Sequence, residues 1–272
     1  MTNFDRIKGY YSVFDEQNRL ARDNSGKLEF EMTMLILKKY LPEKGTVLDL
    51  GGGAGVYAFE LAQKGYQVWL ADLSERLIEQ ASERRSVEQT ENLIATDVVN
   101  ATDLSNYQDN MFDIVLALGP FYHLTEEIER QKCASEIKRV LKDGGIVIAG
   151  FIPYLSGSIA IVDRYFFRPE HVDASNLAYV FETGKFHNLA HTGFQEGYYA
   201  TATEMKKLFE SNHFETNCIR SVRGFGYEKE DMIYQVKDAA VFAEIMKAID
   251  KTAEEPAIVE MCGHALYIGR KR

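Results

Sequence analysis

Between residues 47 and 55 the chain reads Val47-Leu48-Asp49-Leu50-Gly51-Gly52-Gly53-Ala54-Gly55, an apolar β-type run that breaks into glycines. No other stretch limits the possible folds as much. Glycines at 51, 53 and 55 let a backbone leave a strand, turn into a helix and pass close to a ligand, with the helix N-terminus directed at it. Asp72 closes the next β-type run, 21 residues after Gly51. That is near the ~20-residue offset at which an acid meets a ribose hydroxyl pair. The two features together describe an adenosine-type ligand at the carboxyl edge of a doubly wound sheet.

The surrounding pattern agrees. Residues 1–45 carry apolar side chains at helical spacing, Leu28, Met32, Leu35, Ile36 and Tyr40, until Leu41-Pro42 ends the run. From residue 46 short strands alternate with helices: strands at 46–50, 67–71, 93–96, 112–118 and 146–151, and helices at 57–64, from a Ser74 cap to about 85, and from a Thr125 cap to about 142. Such alternation reads as right-handed βαβ units and an open parallel sheet. The rhythm breaks over 152–200, which is rich in aromatics and histidine and has no clean period. It resumes with a Thr201–Glu204 capping box opening a helix to about 211, a strand near 216–222, a helix over 231–251 and a last strand at 264–268. The expected fold is one α/β domain over 1–272, a Rossmann-like, seven-stranded, mostly parallel sheet with helices on both faces. Within it lie an N-terminal helical lid (1–45), a cofactor-binding core (46–151), an inserted substrate cap (152–200) and closing helices and strands (201–272).

Charge narrows the partners. With 31 Lys+Arg against 41 Asp+Glu the formal net charge is −10, which offers no footprint for a polyphosphate backbone or an anionic membrane surface. The expectation is a small-molecule partner, with no nucleic acid and no membrane. The start has no basic region followed by an apolar stretch, and the longest apolar run, Ile146 to Leu155, is about half of the ~20 residues that span a bilayer. Cys133, Cys218 and Cys262 form no Cys-x-x-Cys pair, which fits reduced thiols and a cytoplasmic protein. Nothing in the chain sets its oligomeric state.

A dinucleotide fingerprint needs glycine at position 56, where this chain has Val56, and Asp49 so close to the loop would repel a pyrophosphate. The same acid suits the cationic amino group of a methionine moiety. On Asp49-x-Gly51-x-Gly53-x-Gly55 followed by Asp72, the chain resembles the class I S-adenosylmethionine-dependent methyltransferases, over roughly residues 30–150 plus the closing strands. The resemblance implies S-adenosylmethionine as cofactor and S-adenosylhomocysteine as product. It implies that Asp49, Gly51, Gly53 and Gly55 hold the methionine end, Asp72 with Leu73 the ribose, and Asp97 with Val98 the adenine. Leu118 and an N-terminal tyrosine, Tyr11 of the Tyr10-Tyr11 pair, complete the implied cofactor set.

After the fourth strand comes Ala117-Leu118-Gly119-Pro120-Phe121-Tyr122-His123-Leu124. It lacks the Asp/Asn-Pro-Pro-Tyr signature of enzymes that methylate base or amide nitrogens, and looks like the small-molecule branch of the family. The implied reaction is methyl transfer to an oxygen, nitrogen or carbon of a metabolite. His123, beside Tyr122, is the candidate catalytic base, because a histidine of ordinary pKa near ~6.5 accepts a proton at neutral pH. It would equally serve by bonding a backbone carbonyl and closing the pocket. In the cap, Arg164, Arg168, His187 and Tyr198 are candidate substrate contacts. His187 and His191, four apart, would share a helix face, but no third ligand at matching spacing completes a metal site, so none is expected. A nicotinamide-dependent oxidoreductase and a non-catalytic S-adenosylmethionine-binding partner protein are the competing readings.

Overall fold

The computed structural model describes residues 1–272. Its elements are, in chain order, α1 (Phe4–Tyr11), α2 (Asn24–Tyr40), β1 (Thr46–Leu50), α3 (Val56–Gln63), β2 (Gln67–Asp72), α4 (Glu75–Glu88), β3 (Leu93–Val98), β4 (Phe112–Ala117), α5 (Glu127–Val140) and β5 (Leu141–Pro153). There follow α6 (Tyr154–Phe167), α7 (Ala174–Thr183), β6 (Lys185–His187), β7 (Glu196–Ala200), α8 (Ala202–Ser211), β8 (Phe214–Ser221), α9 (Glu230–Ile233), α10 (Ala239–Thr252), α11 (Pro256–Glu260) and β9 (Ala265–Lys271).

The runs that are apolar at nearly every position, in β1 and β4, form the middle of the sheet, where helices cover both faces. Parallel pairing gives the order β3-β2-β1-β4-β5, and β9 then runs antiparallel between β5 and β8. This is the seven-stranded, mostly parallel sheet read from the sequence. It carries a two-stranded addition. β5 pairs with β9 over Ile146–Phe151 and then parts from it, so that Ile152 and Pro153 pair with Tyr199 and Ala200 of β7, which pairs antiparallel with β6.

Several local expectations change. The N-terminal segment is two helices, capped by Asn3 and Asp23, whose side chains accept from the Arg6 and Gly26 N–H groups. Leu28, Met32 and Ile36 form the buried face of α2, but Leu35 points to solvent, one position off that face. Thr125 is not a helix cap: its N–H and hydroxyl meet the Thr2 hydroxyl, and Glu126 takes the N-cap position of α5. The helix expected over 231–251 is two, α9 and α10, separated by a turn ending in the capping residue Asp238. Residues 152–200 hold two helices and two strands, and the His187–His191 helix face does not exist, because His187 ends β6 and His191 lies in a turn.

Candidate functional site

The carboxyl ends of β1, β2, β3 and β4 open into a cavity. Gly51 and Gly53 lie on its wall with φ of 70° and 59°, a left-handed backbone that glycine adopts without strain. Side chains would not fit there: a Cβ on Gly51 would stand 2.8 Å from Pro120 Cδ, and one on Gly53 would stand 2.9 Å from Glu16 Cγ. Gly55 is off the cavity, at the N-cap of α3, where a Cβ would press on Leu70 and Phe59. It serves the packing of helix on strand. Gly52, outside the alternating set, is the closest-fitting of the four. A Cβ there would fall 2.5 Å from the Asp49 carboxyl carbon.

Asp49 lies under this loop, fully buried, and neither carboxylate oxygen has a hydrogen-bond partner. Burial, with the charge of Asp72 adding to it, pushes its pKa up to about 7. A buried acid without a partner in the protein is what a site for a cationic ligand group leaves behind. Asp72 is on the wall itself. Its two oxygens accept from the N–H groups of Gly53 (2.9 Å) and Ser74 (2.8 Å), which lock its rotamer, and burial raises its pKa to about 6 despite them.

Beyond β3 the cavity wall is built from other residues than the expected acid. Asp97 is not on the cavity wall: its carboxylate accepts from the Tyr107 hydroxyl at 2.9 Å, and Val98 beside it is exposed. The wall is formed by Val99, Asn100 and Ala101, with Leu73 as expected on the other side. Asn100 stands on the wall although it is not an acid. Its signal was local: Asn100 precedes Thr102, and its side-chain oxygen accepts from the Thr102 N–H and hydroxyl in a turn that leaves its amide nitrogen free.

The N-terminal segment closes the cavity. Phe4, Ile7, Tyr11 and Glu16 all line it. The Tyr11 hydroxyl meets His123 Nε2 at 2.9 Å, while His123 Nδ1 faces the Glu196 carbonyl at 3.2 Å. A carbonyl only accepts, so Nδ1 carries the hydrogen and Nε2 accepts from Tyr11. Burial lowers the His123 pKa to about 4, which keeps the ring neutral. Arg76 of α4 donates to the Tyr11 carbonyl and to the Phe14 carbonyl. Arg6 donates to the Asn188 and Ala190 carbonyls and to Gln195, fastening α1 to the segment after β6.

The remaining expected contacts lie elsewhere. His187 is held by Arg6 and by Glu196, whose carboxylate is 2.7 Å from its Nδ1. Arg164 and Arg168 line a separate surface groove. Tyr198 gives its hydroxyl to Glu204 and lies under the Arg130 guanidinium, on the far side of β7. None of these four borders the main cavity. Leu118 opens instead on a second, smaller cavity, which meets the first at Tyr122.

Residues 48–149 match the family model described as a methyltransferase domain. A glycine/sarcosine N-methyltransferase of Parasynechococcus marenigrum (strain WH8102) is 30% identical over 201 residues, 68% of this chain and 70% of that protein. YqeM of Bacillus subtilis (strain 168) is 29% identical over 142 residues, so that the match spans about half of each, 52% of this chain and 53% of that one. Among solved structures, a protein of Pyrococcus horikoshii OT3 shares the fold with a TM-score of 0.62 at 20% identity, over 97% of this chain and 98% of that one. The Burkholderia thailandensis 1,6-didemethyltoxoflavin-N1-methyltransferase, solved with S-adenosylhomocysteine, gives 0.58 at 16% identity, over 98% and 85%. Fold, glycine loop and acids thus define a class I methyltransferase. The chain belongs to the S-adenosylmethionine-dependent methyltransferase family.

Proposed function

We propose that the protein transfers the methyl group of S-adenosylmethionine to a small-molecule acceptor. The observation that carries this reading is the unpartnered Asp49 carboxylate beneath a glycine cradle whose wall continues into Asp72. Asp72 would receive the ribose hydroxyls, with Leu73 beside it. Asn100, between Val99 and Ala101, would receive the adenine edge in place of Asp97. Asp49 would supply the negative charge beneath the methionine end, on the Gly51–Gly53 loop. When bound, the cofactor supplies a methyl group made electrophilic by its sulfonium sulfur.

The chain's own part is to align the acceptor and exclude water. His123 is assigned to the second role. With both ring nitrogens engaged and a pKa near 4, it holds Tyr11, and through it the lid, over the cavity instead of taking a proton at neutral pH. An acceptor enclosed this way is small, and the net charge of −10 argues against a polyphosphate. Relatives include a tRNA 5-carboxymethoxyuridine methyltransferase of Escherichia coli (strain K12) and a ribosomal protein L11 methyltransferase of Thermotoga petrophila, so the assay panel includes tRNA and protein as well as metabolites. Residues 1–45 as lid and 152–200 as cap, and a cytoplasmic location consistent with three free thiols, belong to the same reading.

Calorimetric titration with S-adenosylmethionine, S-adenosylhomocysteine and NAD is the test. Micromolar binding of the two sulfur nucleosides without NAD is the expected result. NAD binding alone would replace this reading with the oxidoreductase one.

A further inference from the structure

We infer that His264, oriented by Glu29, is the general base that takes the acceptor's proton, in a second chamber beyond Tyr122. This inference rests on the methyl-transfer reading and adds the residue that completes it. The chamber is a narrow cleft that reaches from the sheet edge to the His264 ring. Leu118, just past the end of β4, and Gly150, in β5, give it a floor at the sheet's carboxyl edge, and Arg19, Glu29 and His264 give it a charged wall. It meets the cofactor cavity at Tyr122, which borders both, and at the ion pair of Glu16, on the first cavity, with Arg19, on the second.

The geometry at His264 is that of an oriented base. Its Nδ1 lies 2.8 Å from Glu29 Oε2. A carboxylate accepts, so Nδ1 carries the hydrogen and Nε2 keeps its lone pair. Nε2 makes no hydrogen bond to the protein, and the ring, stacked 5.7 Å from that of Tyr122, forms part of the chamber wall. The backbone is fixed on both sides: the Gly263 N–H donates to Ser156 Oγ at 2.8 Å, and the His264 carbonyl accepts from the Val222 N–H. Glu29 is itself buried. Burial alone would raise its pKa, but His264 and Arg19 outweigh that and hold it well below the usual carboxylate range. His123, by contrast, has no nitrogen to spare.

The step balances without a further reactant. The acceptor's lone pair forms the new bond to the methyl carbon as the carbon–sulfur bond breaks and its electrons return to sulfur. The acceptor's proton passes to His264 Nε2, and the imidazolium so formed is paired with Glu29. The charged and titratable groups facing this ring and its partner are Glu29, Arg19, Glu16, Tyr122, Tyr57 and Arg223.

The experiment is long-range proton–nitrogen NMR on the full chain labelled with ¹⁵N-histidine and saturated with S-adenosylhomocysteine, with H264Q assigning the signal. The expected result is a single neutral tautomer with its proton on Nδ1, bonded to Glu29, and an unprotonated Nε2, a preference that E29Q should weaken. Diethylpyrocarbonate should modify His264 and spare His123. A His264 with its proton on Nε2, or one inert to the reagent, overturns the proposal even if E29Q fails to fold. S-adenosylhomocysteine should bind H264Q within about twofold of the wild type, since a base acts on the acceptor and not on cofactor binding. A greater loss would place the residue in cofactor binding. In methyl transfer to an acceptor, H264Q should lower kcat about 10²-fold and lose the rise of rate with pH; an unchanged profile also overturns it. Failure of the wild type to bind S-adenosylhomocysteine would instead overturn the methyl-transfer reading.

Discussion

The Tyr11 hydroxyl donates to His123 Nε2 across 2.9 Å, joining residues 112 positions apart and fastening the end of the first helix to the loop after the central strand. Replacing Tyr11 by Phe keeps the ring and removes the donor, leaving a buried imidazole nitrogen without a partner. The expected cost is about 1–3 kcal/mol in stability, with faster exchange of amides in residues 4–16. Thermal denaturation and hydrogen exchange measure both. Unchanged protection of α1 would mean that the Arg76 and Arg6 contacts alone hold the lid.

Asp72→Ala removes two charge-assisted hydrogen-bond acceptors from the cavity wall. S-adenosylhomocysteine affinity should fall by roughly 1.5–3 kcal/mol, about tenfold or more. Calorimetry that finds equal affinity would remove the ribose from this position.

Asn100→Ala and Asp97→Ala separate the two assignments of the adenine edge. The first should weaken S-adenosylhomocysteine by about 1 kcal/mol or more. The second should leave affinity unchanged and cost only the bond to Tyr107. The opposite ranking, read by the same titration, would restore Asp97.

Asp49 sets a pH dependence. Its carboxyl stands at about 7 when folded, against 3.8 as the ordinary value. Between those values the folded chain binds more protons than the unfolded one, so stability without ligand falls as pH rises from about 4 to about 7. Asp72 contributes the same sign up to about 6, and His123, lowered to about 4, contributes the opposite sign below 6.5. Asp49→Asn should therefore flatten the fall in Tm between pH 4 and 7. The cofactor's affinity should rise with pH in the wild type, as Asp49 ionises beneath a cationic ligand, and lose that rise in the variant. Parallel curves would show that Asp49 does not ionise in this range.

Gly52→Ala tests the fit of the loop over that acid. The added Cβ would sit 2.5 Å from both Asp49 Cγ and Oδ2, and 2.6 Å from Leu70 Cδ1. A loss of about 1–3 kcal/mol in stability is expected, together with lost cofactor binding. Wild-type Tm would mean that the loop shifts freely.

The sequence by itself determined the sheet and placed Gly51, Gly53, Asp72 and Leu73 together at its carboxyl edge, where they line one cavity. Alternating strands and helices admit few topologies, and a glycine loop with an acid 21 residues on acts through local backbone geometry at the ends of adjacent strands. Periodicity had less hold where short elements depend on partners elsewhere, as in the divided helix at 230–252 and the segment 152–200. Residue type alone did not place side chains: Asp97 is an acid at a strand's end whose carboxylate is bonded by Tyr107, and Asn100 three positions on meets the cavity. Arg164, Arg168, His187 and Tyr198 have suitable chemistry but lie off the cavity that Gly51 and Asp72 line. Which polar groups converge is set by long-range docking. His123 meets Tyr11 only because α1 folds back over the sheet, and His264 meets Glu29, 235 residues away, only because β9 inserts between β5 and β8 beside α2. Local spacing carries no information about such meetings, since they follow from burying whole faces of helix and sheet together.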